Sequence, residues 1–366
     1  MKRVLIIAGN LQIGGAEKVA RDIALYGDLK QFEYHYVVFG DKIGEYEAQL
    51  WELGCKIFHM PEPSSGYGRF LKELGRIMSQ NHYHVVHAHT MFNCGWVMWL
   101  GKQAGIPVRI AHAHSALDDG KGLMKAVYET VMRSMILHCA TDLVACGERA
   151  GIRLFGQMAF EKRGNLIPNG IDVDAFRYDV EKGNQIRRRL GIGGRFLIGH
   201  VGHLAGVKNQ VFLLELMPQV LKKRPDGMLL LLGEGKDRPM LEARIQELGL
   251  EDRVIMTGNV SDVADHLSAM DVFVFPSLYE GMPLTILEVQ ANGLPCVISD
   301  RVPRDVFLTD LIHPVSLRQP PEQWVDMICK VKRRETERYM QMLARSGFGV
   351  QAAMEKVYRI YRRIKE

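Results

Sequence analysis

Short apolar runs separated by helical stretches recur along nearly all of the 366-residue chain, and this alternation leaves few architectures open. Strands without polar alternation are buried on both faces, and helices between them serve as crossovers, so the pattern predicts an α/β protein built on mostly parallel sheets. In the first half the strand candidates are VLIIA (4–8), YHYVVF (34–39), HVVHAH (84–89), VRIAHAH (108–114), DLVAC (142–146) and NLIP (165–168). The second half offers RFLIGHVG (195–202), MLLLLG (228–233), RVIMTG (253–258), DVFVFP (271–276) and LPCVIS (294–299). Between Pro168 and Arg195, PNGIDVDAF and the charged stretch EKGNQIRRRLGIGGR read as a turn-rich polar boundary. Two Rossmann-like domains follow, residues 1–175 and 176–346, facing a central cleft. Open parallel sheets bind ligands at the carboxyl ends of their strands, so the chemistry is sought there.

Charge narrows the partners. Against 42 acidic residues stand 47 basic ones, a net charge of +5, far short of a dedicated nucleic-acid binder but compatible with anionic ligands or a membrane surface. The six cysteines, at 55, 94, 139, 146, 296 and 329, lack CxxC spacing and read as reduced thiols of a cytoplasmic protein. MKRVLIIAGN is too short in its apolar part for a signal peptide and reads as a first strand. The longest stretch without Asp, Glu, Lys or Arg, 77–101, carries Gln80, Asn81, Asn93 and four histidines, so it is no transmembrane helix.

The segment 276–299, PSLYEGMPLTILEVQANGLPCVIS, concentrates the strongest signals. A buried strand ends at Phe275, a loop carries Glu280, and a helix is expected near Pro283, whose missing N–H costs nothing in a first helical turn. Free backbone N–H groups at that start suit a phosphate. Glu288 on the helix would accept ribose hydroxyls and Glu280 those of a sugar. The plain alternative is one loop glutamate and one helix-face glutamate.

EGMPLTILE, GHLAGVKN (202–209) and PNGID (168–172) together resemble the retaining GT-B glycosyltransferases of family 4, most closely the branch that builds bacterial capsular polysaccharides and exopolysaccharides. The likeness runs from the Gly14-Gly15 loop to the last helix. It implies transfer of a sugar from a nucleotide diphosphate donor, with retention at the anomeric carbon, to a hydroxyl of a glycan or lipid-linked acceptor at the inner face of the cell membrane. UDP is the commonest donor nucleotide of such enzymes. It also implies that the first domain holds mainly the acceptor, that the second holds the donor, and that the last helix, 347–366, returns to the first.

By the same resemblance Lys208 reaches the donor diphosphate, and Gly281, Met282, Pro283, Leu284 and Thr285 line the donor beside Glu280 and Glu288. Phosphoryl charge grows as the glycosidic bond breaks, so a fixed cation lowers the barrier more than it tightens the ground state. Five residues before Lys208 the family places an arginine; here stands His203, a weaker or pH-dependent clamp. A histidine at the end of VRIAHAHS faces the donor sugar in such enzymes: His114, with His112 two residues away as the alternative. Gly14 and Gly15 let a ligand approach the backbone, and Gly233 and Gly235 border the base. Asp172 and Asp174 form a DxD match that reads as a turn, and no catalytic metal or other cofactor is expected.

Two residue patterns stay open. HAHT and HAHS each place two imidazoles on one strand face, a spacing that can ligate zinc, though no accompanying carboxylate set is evident. Residues 121–138 carry apolar side chains at 123, 127, 131 and 135, which read as a core-facing helix or as a surface leaning on anionic lipid together with the basic C-terminal helix. Rival functions are a nucleotide-sugar epimerase of the same architecture and a non-catalytic nucleotide-sugar binding subunit.

Overall fold

The computed structural model describes residues 1–115, 122–334 and 336–363. Two compact units result: Met1–Gly170 with Val350–Glu366, and Ile171–Gly349. The chain therefore passes from one unit to the other after Gly170 rather than after residue 175.

Unit 1 holds β1 (Lys2–Gly9), β2 (Phe32–Phe39), β3 (Lys56–Met60), β4 (Val85–Ala88), β5 (Val108–Ala113), β6 (Asp142–Ala145) and β7 (Gly164–Leu166). They pair in the order β3-β2-β1-β4-β5-β6-β7, all parallel. Unit 2 holds β8 (Leu197–Val201), β9 (Met228–Leu232), β10 (Val254–Gly258), β11 (Val272–Phe275), β12 (Cys296–Ser299) and β13 (Ile312–Val315). Their order is β10-β9-β8-β11-β12-β13, again all parallel. The winding reverses between β1 and β4 in the first sheet and between β8 and β11 in the second. Loops leaving the carboxyl ends of those strands diverge there and leave room for a ligand.

Each sheet is covered on both faces. In β1, Leu5 and Ile7 enter one core while Val4 and Ile6 enter the opposite one; in β9, Leu230 and Leu232 divide from Leu229 and Leu231 in the same way. This period-two split explains why the runs are continuously apolar. The helix Val350–Tyr361 completes one face of unit 1, burying Val350, Ala353, Met354, Val357, Tyr358, Ile360 and Tyr361. Its Lys356, Arg359, Arg362 and Arg363 stay exposed, while Ile364 and Lys365 lie outside the described residues.

Two sequence expectations change. The segment expected as turns between Pro168 and Arg195 contains the helix Val180–Arg189, capped by Asp179 Oδ1, which accepts from the N–H groups of Glu181 and Lys182 at 3.0 Å each. Only Gly183 and Ile186 of this helix are buried, so a highly charged sequence hides a helix with a narrow apolar edge. Gly183 is required by closeness: a Cβ there would meet Ser268 O at 2.6 Å. Asp172 does make a turn, its Oδ1 accepting from Ala175 N at 3.1 Å. The helix Leu123–Cys139 presents Leu123, Val127 and Val131 to solvent rather than to the core, and Met135 is only partly buried. Met132, Ile136 and Cys139 face inward instead, because Gly95 lets the neighbouring helix Cys94–Gln103 come close. Lys121 lies outside the described residues.

Candidate active site

In unit 2 the loops leaving β8 and β11 carry the residues singled out in the sequence. The β8 loop passes through a short 3-10 turn, Gly206–Lys208, into the helix Gln210–Lys223. The β11 loop runs from Pro276 to Pro283, the N-cap of the helix Leu284–Ala291. Lys208 Nζ donates to Glu280 Oε1 at 2.7 Å and stands 5.1 Å from the centre of the Phe275 ring. The two loops are tied by backbone as well: Leu278 N donates to Val207 O at 2.8 Å, and Asn209 Nδ2 to Pro276 O at 3.2 Å. Asn209 reaches its place with φ of +58°, a left-handed conformation that asparagine tolerates.

Below this pair lies a polar support that the sequence did not reveal. Fully buried His200, on β8, donates from Nδ1 to Val274 O at 2.9 Å. Burial pushes its imidazole down to about 4, so the ring is neutral and Nε2 is an acceptor facing Gln210 Nε2 at 3.4 Å. Gln210 also donates to His203 O at 3.0 Å, which fixes the turn of the β8 loop. His203 itself is exposed.

Glu280 and Glu288 are both buried, 9% and 8% exposed. Pro283 supplies no capping side chain, and the helix Leu284–Ala291 begins without a side-chain cap; Ile286 N donates to Pro283 O at 3.0 Å, which leaves the N–H groups of Leu284 and Thr285 for an anion. Met282 and Leu284 are half-buried, their side chains packed against the core of unit 2. Gly281 is exposed, and a Cβ there would meet nothing within 4 Å. Thr285 is half-buried. Gly233 and Gly235 have a structural reason of their own, since a Cβ on either would collide with the backbone of Gly202 or Leu204. That closeness is laced by Gly202 N to Leu232 O at 3.0 Å and Leu204 N to Glu234 O at 2.9 Å.

In unit 1, Gly14 caps the helix Gly15–Leu25 in an extended conformation. The space beside Gly14 is filled by the Glu17 carboxylate, whose pKa burial raises; Gly15 meets nothing within 4 Å. His87 and His89 at the end of β4 and His112 and His114 at the end of β5 form a two-by-two array. Cross-strand neighbours share hydrogen bonds: His87 Nε2 and His112 Nδ1 lie 3.1 Å apart, His89 Nδ1 and His114 Nε2 2.7 Å. Along each strand the rings face one another, with centroids 4.4 Å apart for His87 and His89 and 4.1 Å for His112 and His114. Tyr361, from the C-terminal helix, joins its hydroxyl to His87 Nδ1 at 2.8 Å. Burial drives His87 and His114 down to about 3 and His89 and His112 well below the usual imidazole range, with repulsion from histidine neighbours adding to burial for all but His114. His114 is therefore a neutral hydrogen-bonding group. Among the described residues, no helix is long and apolar enough to cross a membrane.

Residues 183–342 match the family "Glycosyl transferases group 1" and residues 13–175 match "Glycosyltransferase Family 4". EpsF of Bacillus subtilis (strain 168) is 31% identical over a 369-residue alignment that covers 98% of this chain and 96% of EpsF. The UDP-Gal:alpha-D-GlcNAc-diphosphoundecaprenol alpha-1,3-galactosyltransferase of Escherichia coli is 29% identical over 237 residues, 63% of this chain and 61% of that protein. Anabaena HepE, solved in complex with UDP-glucose, shares the fold with a TM-score of 0.74 at 19% identity, over 100% of this chain and 98% of HepE.

Proposed function

The chain belongs to the GT-B glycosyltransferases of the group 1 and family 4 type, and from that membership we propose that it transfers a sugar from a UDP donor, with retention at the anomeric carbon, to a hydroxyl of a glycan or lipid-linked acceptor in cell-surface polysaccharide synthesis. The observation that carries this reading is the Lys208–Glu280 pair at the winding reversal of unit 2. A cation, a buried carboxylate and an uncapped helix start there meet the three needs of a nucleotide-sugar: charge on the diphosphate, acceptors for sugar hydroxyls, and N–H donors. The E. coli relative bears UDP-galactose and a diphosphoundecaprenol acceptor in its name, and HepE binds UDP-glucose.

In the proposed step the acceptor oxygen bonds to the anomeric carbon on the face that the leaving group occupies, and the bond from that carbon to the β-phosphate oxygen breaks. The acceptor's proton passes to that phosphate oxygen. Lys208 and the first N–H groups of the helix Leu284–Ala291 meet the charge that develops on the diphosphate, with His203 as a further contact. Glu288 accepts from the ribose, Glu280 from the transferred sugar, and neutral His114 hydrogen-bonds a sugar hydroxyl. No metal ion is assigned to this step. The exposed stripe Leu123, Met124, Val127 and Val131, with exposed Lys356 and Arg359 on the same unit, supports peripheral contact with an anionic membrane.

Thermal shift against UDP-, GDP-, ADP- and dTDP-sugars tests the donor class, since a ligand that binds only the folded state raises Tm by mass action. UDP-sugars are expected to give the largest shift. Glu288→Ala should weaken UDP and UDP-sugars alike, whereas Glu280→Ala should weaken intact donors more than UDP. Equal losses for both ligands in both variants, or an epimerised nucleotide sugar formed without any acceptor, would refute the reading.

A further inference from the structure

The imidazole array of unit 1 contains more ligating capacity than one sugar contact uses. A neutral imidazole has one N–H and one lone pair. Each cross-strand contact uses one nitrogen of each ring, and Tyr361 takes the second nitrogen of His87, so the other three rings each keep one over. Nε2 of His89 and Nε2 of His112 are buried and have no hydrogen-bond partner, as is Nδ1 of His114. His89 and His112 are only 5% and 1% exposed. His87, His89 and His112 each offer a nitrogen lying within 4.8 Å of the other two.

We propose that His87, His89 and His112 bind a divalent transition-metal ion of the zinc, cobalt or nickel class. Three neutral imidazoles without a carboxylate suit such borderline ions and not magnesium or calcium. Imidazole ligands need their second nitrogen held by an outer partner, and two are already in place: Tyr361 for His87 and His114 for His89; His87 Nε2 now faces His112 Nδ1 at 3.1 Å, and the ion would take the place of that contact. The absence of a carboxylate, which argued against a metal in the sequence, is thus no obstacle once β4 and β5 bring two HxH pairs side by side. The ion would tie the ends of two central strands and, through His89, hold the ring of His114; it has no part in the bond-breaking step.

The test uses the full chain without an affinity tag, stripped by a chelator and then titrated with Zn2+ against a chromogenic competitor and with Co2+ by visible absorption. Wild type should bind one ion per chain with a rise in Tm. His87→Gln/His112→Gln should lose both effects, and His82→Gln, at an exposed histidine, should keep both. No stoichiometric ion in wild type, or an undiminished one in the double variant, overturns the site. Should the double variant not fold, X-ray absorption of the zinc-loaded wild type decides: three or more imidazole ligands support the site and fewer overturn it. Donor-induced thermal shift of the stripped protein, measured alongside, keeps this outcome separate from the glycosyltransferase reading.

Discussion

Lys208 and Glu280 neutralise each other across 72 residues of sequence, at side-chain exposures of 21% and 10%. A pair so little hydrated cannot lose one member without leaving the other poorly solvated, which holds both side chains where an incoming diphosphate and sugar would meet them. Removing the cation should cost chiefly the transition state, where phosphate charge is largest. Lys208→Ala is expected to lower kcat about 10²- to 10³-fold with a smaller change in KM, read by steady-state kinetics with a UDP-sugar; an unchanged kcat would remove Lys208 from the step. His203 lies exposed on the same loop, and arginine keeps its charge at every accessible pH. His203→Arg should therefore lower KM for the donor above pH 7, read by the same steady-state kinetics. Glu280, Glu288 and Lys208 were legible because they follow strand ends. Their mutual ion pair was not, since nothing in a sequence measures a distance between loops from β8 and β11. The same holds for His200 and Gln210, ordinary core and helix positions by pattern, and for the two HxH segments, whose lateral pairing exists only after β4 and β5 align.

The fully buried central strands were the most readable elements. Eleven runs anticipated every interior strand and the edge strands β7 and β10, while the other two edge strands, β3 and β13, went unnoticed. In β3 only Met60 is buried, and β13 contains Pro314, which an edge tolerates because its missing N–H would face no neighbour. Arg333 gives the clearest case of an element held by a residue with no sequence signature. Its guanidinium lies 4.2 Å from the centre of the Tyr178 ring and donates to Asn292 O and Oδ1, Leu267 O and Met270 O at 2.7–2.8 Å. It thereby closes the carboxyl ends of the helices Val263–Ala269 and Leu284–Ala291, the second of which carries Glu288. Burial pushes its pKa down to about 10, yet it stays charged. Arg333→Met should cost about 3 kcal/mol or more by orphaning those carbonyls, seen as a lower urea midpoint with unchanged m. Arg333→Lys should not restore it, lacking the planar fork. The helix Leu123–Cys139 makes a second prediction. Val127 and Val131, 53% and 48% exposed, contribute little to the core, so Val127→Glu/Val131→Glu should leave Tm nearly unchanged while reducing flotation with anionic vesicles. Undiminished flotation would move membrane contact elsewhere.

Taken over both units, histidines held below the usual imidazole range are unevenly shared, and this gives the protein a pH dependence with a definite sign. Unit 1 holds His87, His89, His112 and His114, all pushed down by burial, besides His35 and His84, also lowered. Unit 2 holds His200, lowered to about 4, and His313, lowered. An unfolded histidine takes up its proton near pH 6.5. A folded one held to about 3 does not, so below pH 6.5 the unfolded chain binds more protons and the folded state loses ground. The stability concerned is thus fully present above pH 6.5 and is lost as pH falls from 6.5 toward 3. Each such group contributes a slope of about 1.4 kcal/mol per pH unit once its unfolded form is mostly protonated. The four rings of the array should make unit 1 less stable at pH 5 than at pH 7.5. Urea unfolding followed by hydrogen exchange, with chelator present so that no metal engages the same nitrogens, should show amides of β4 and β5 losing protection on acidification sooner than those of β9 and β11. His87→Gln/His112→Gln should flatten the dependence in unit 1, because glutamine takes up no proton in either state. Equal acid sensitivity of the two sheets, or an unchanged slope in that variant, would mean that the imidazoles are already hydrated and protonated in the folded protein, and with that the case for a dry, metal-ready array would fail as well.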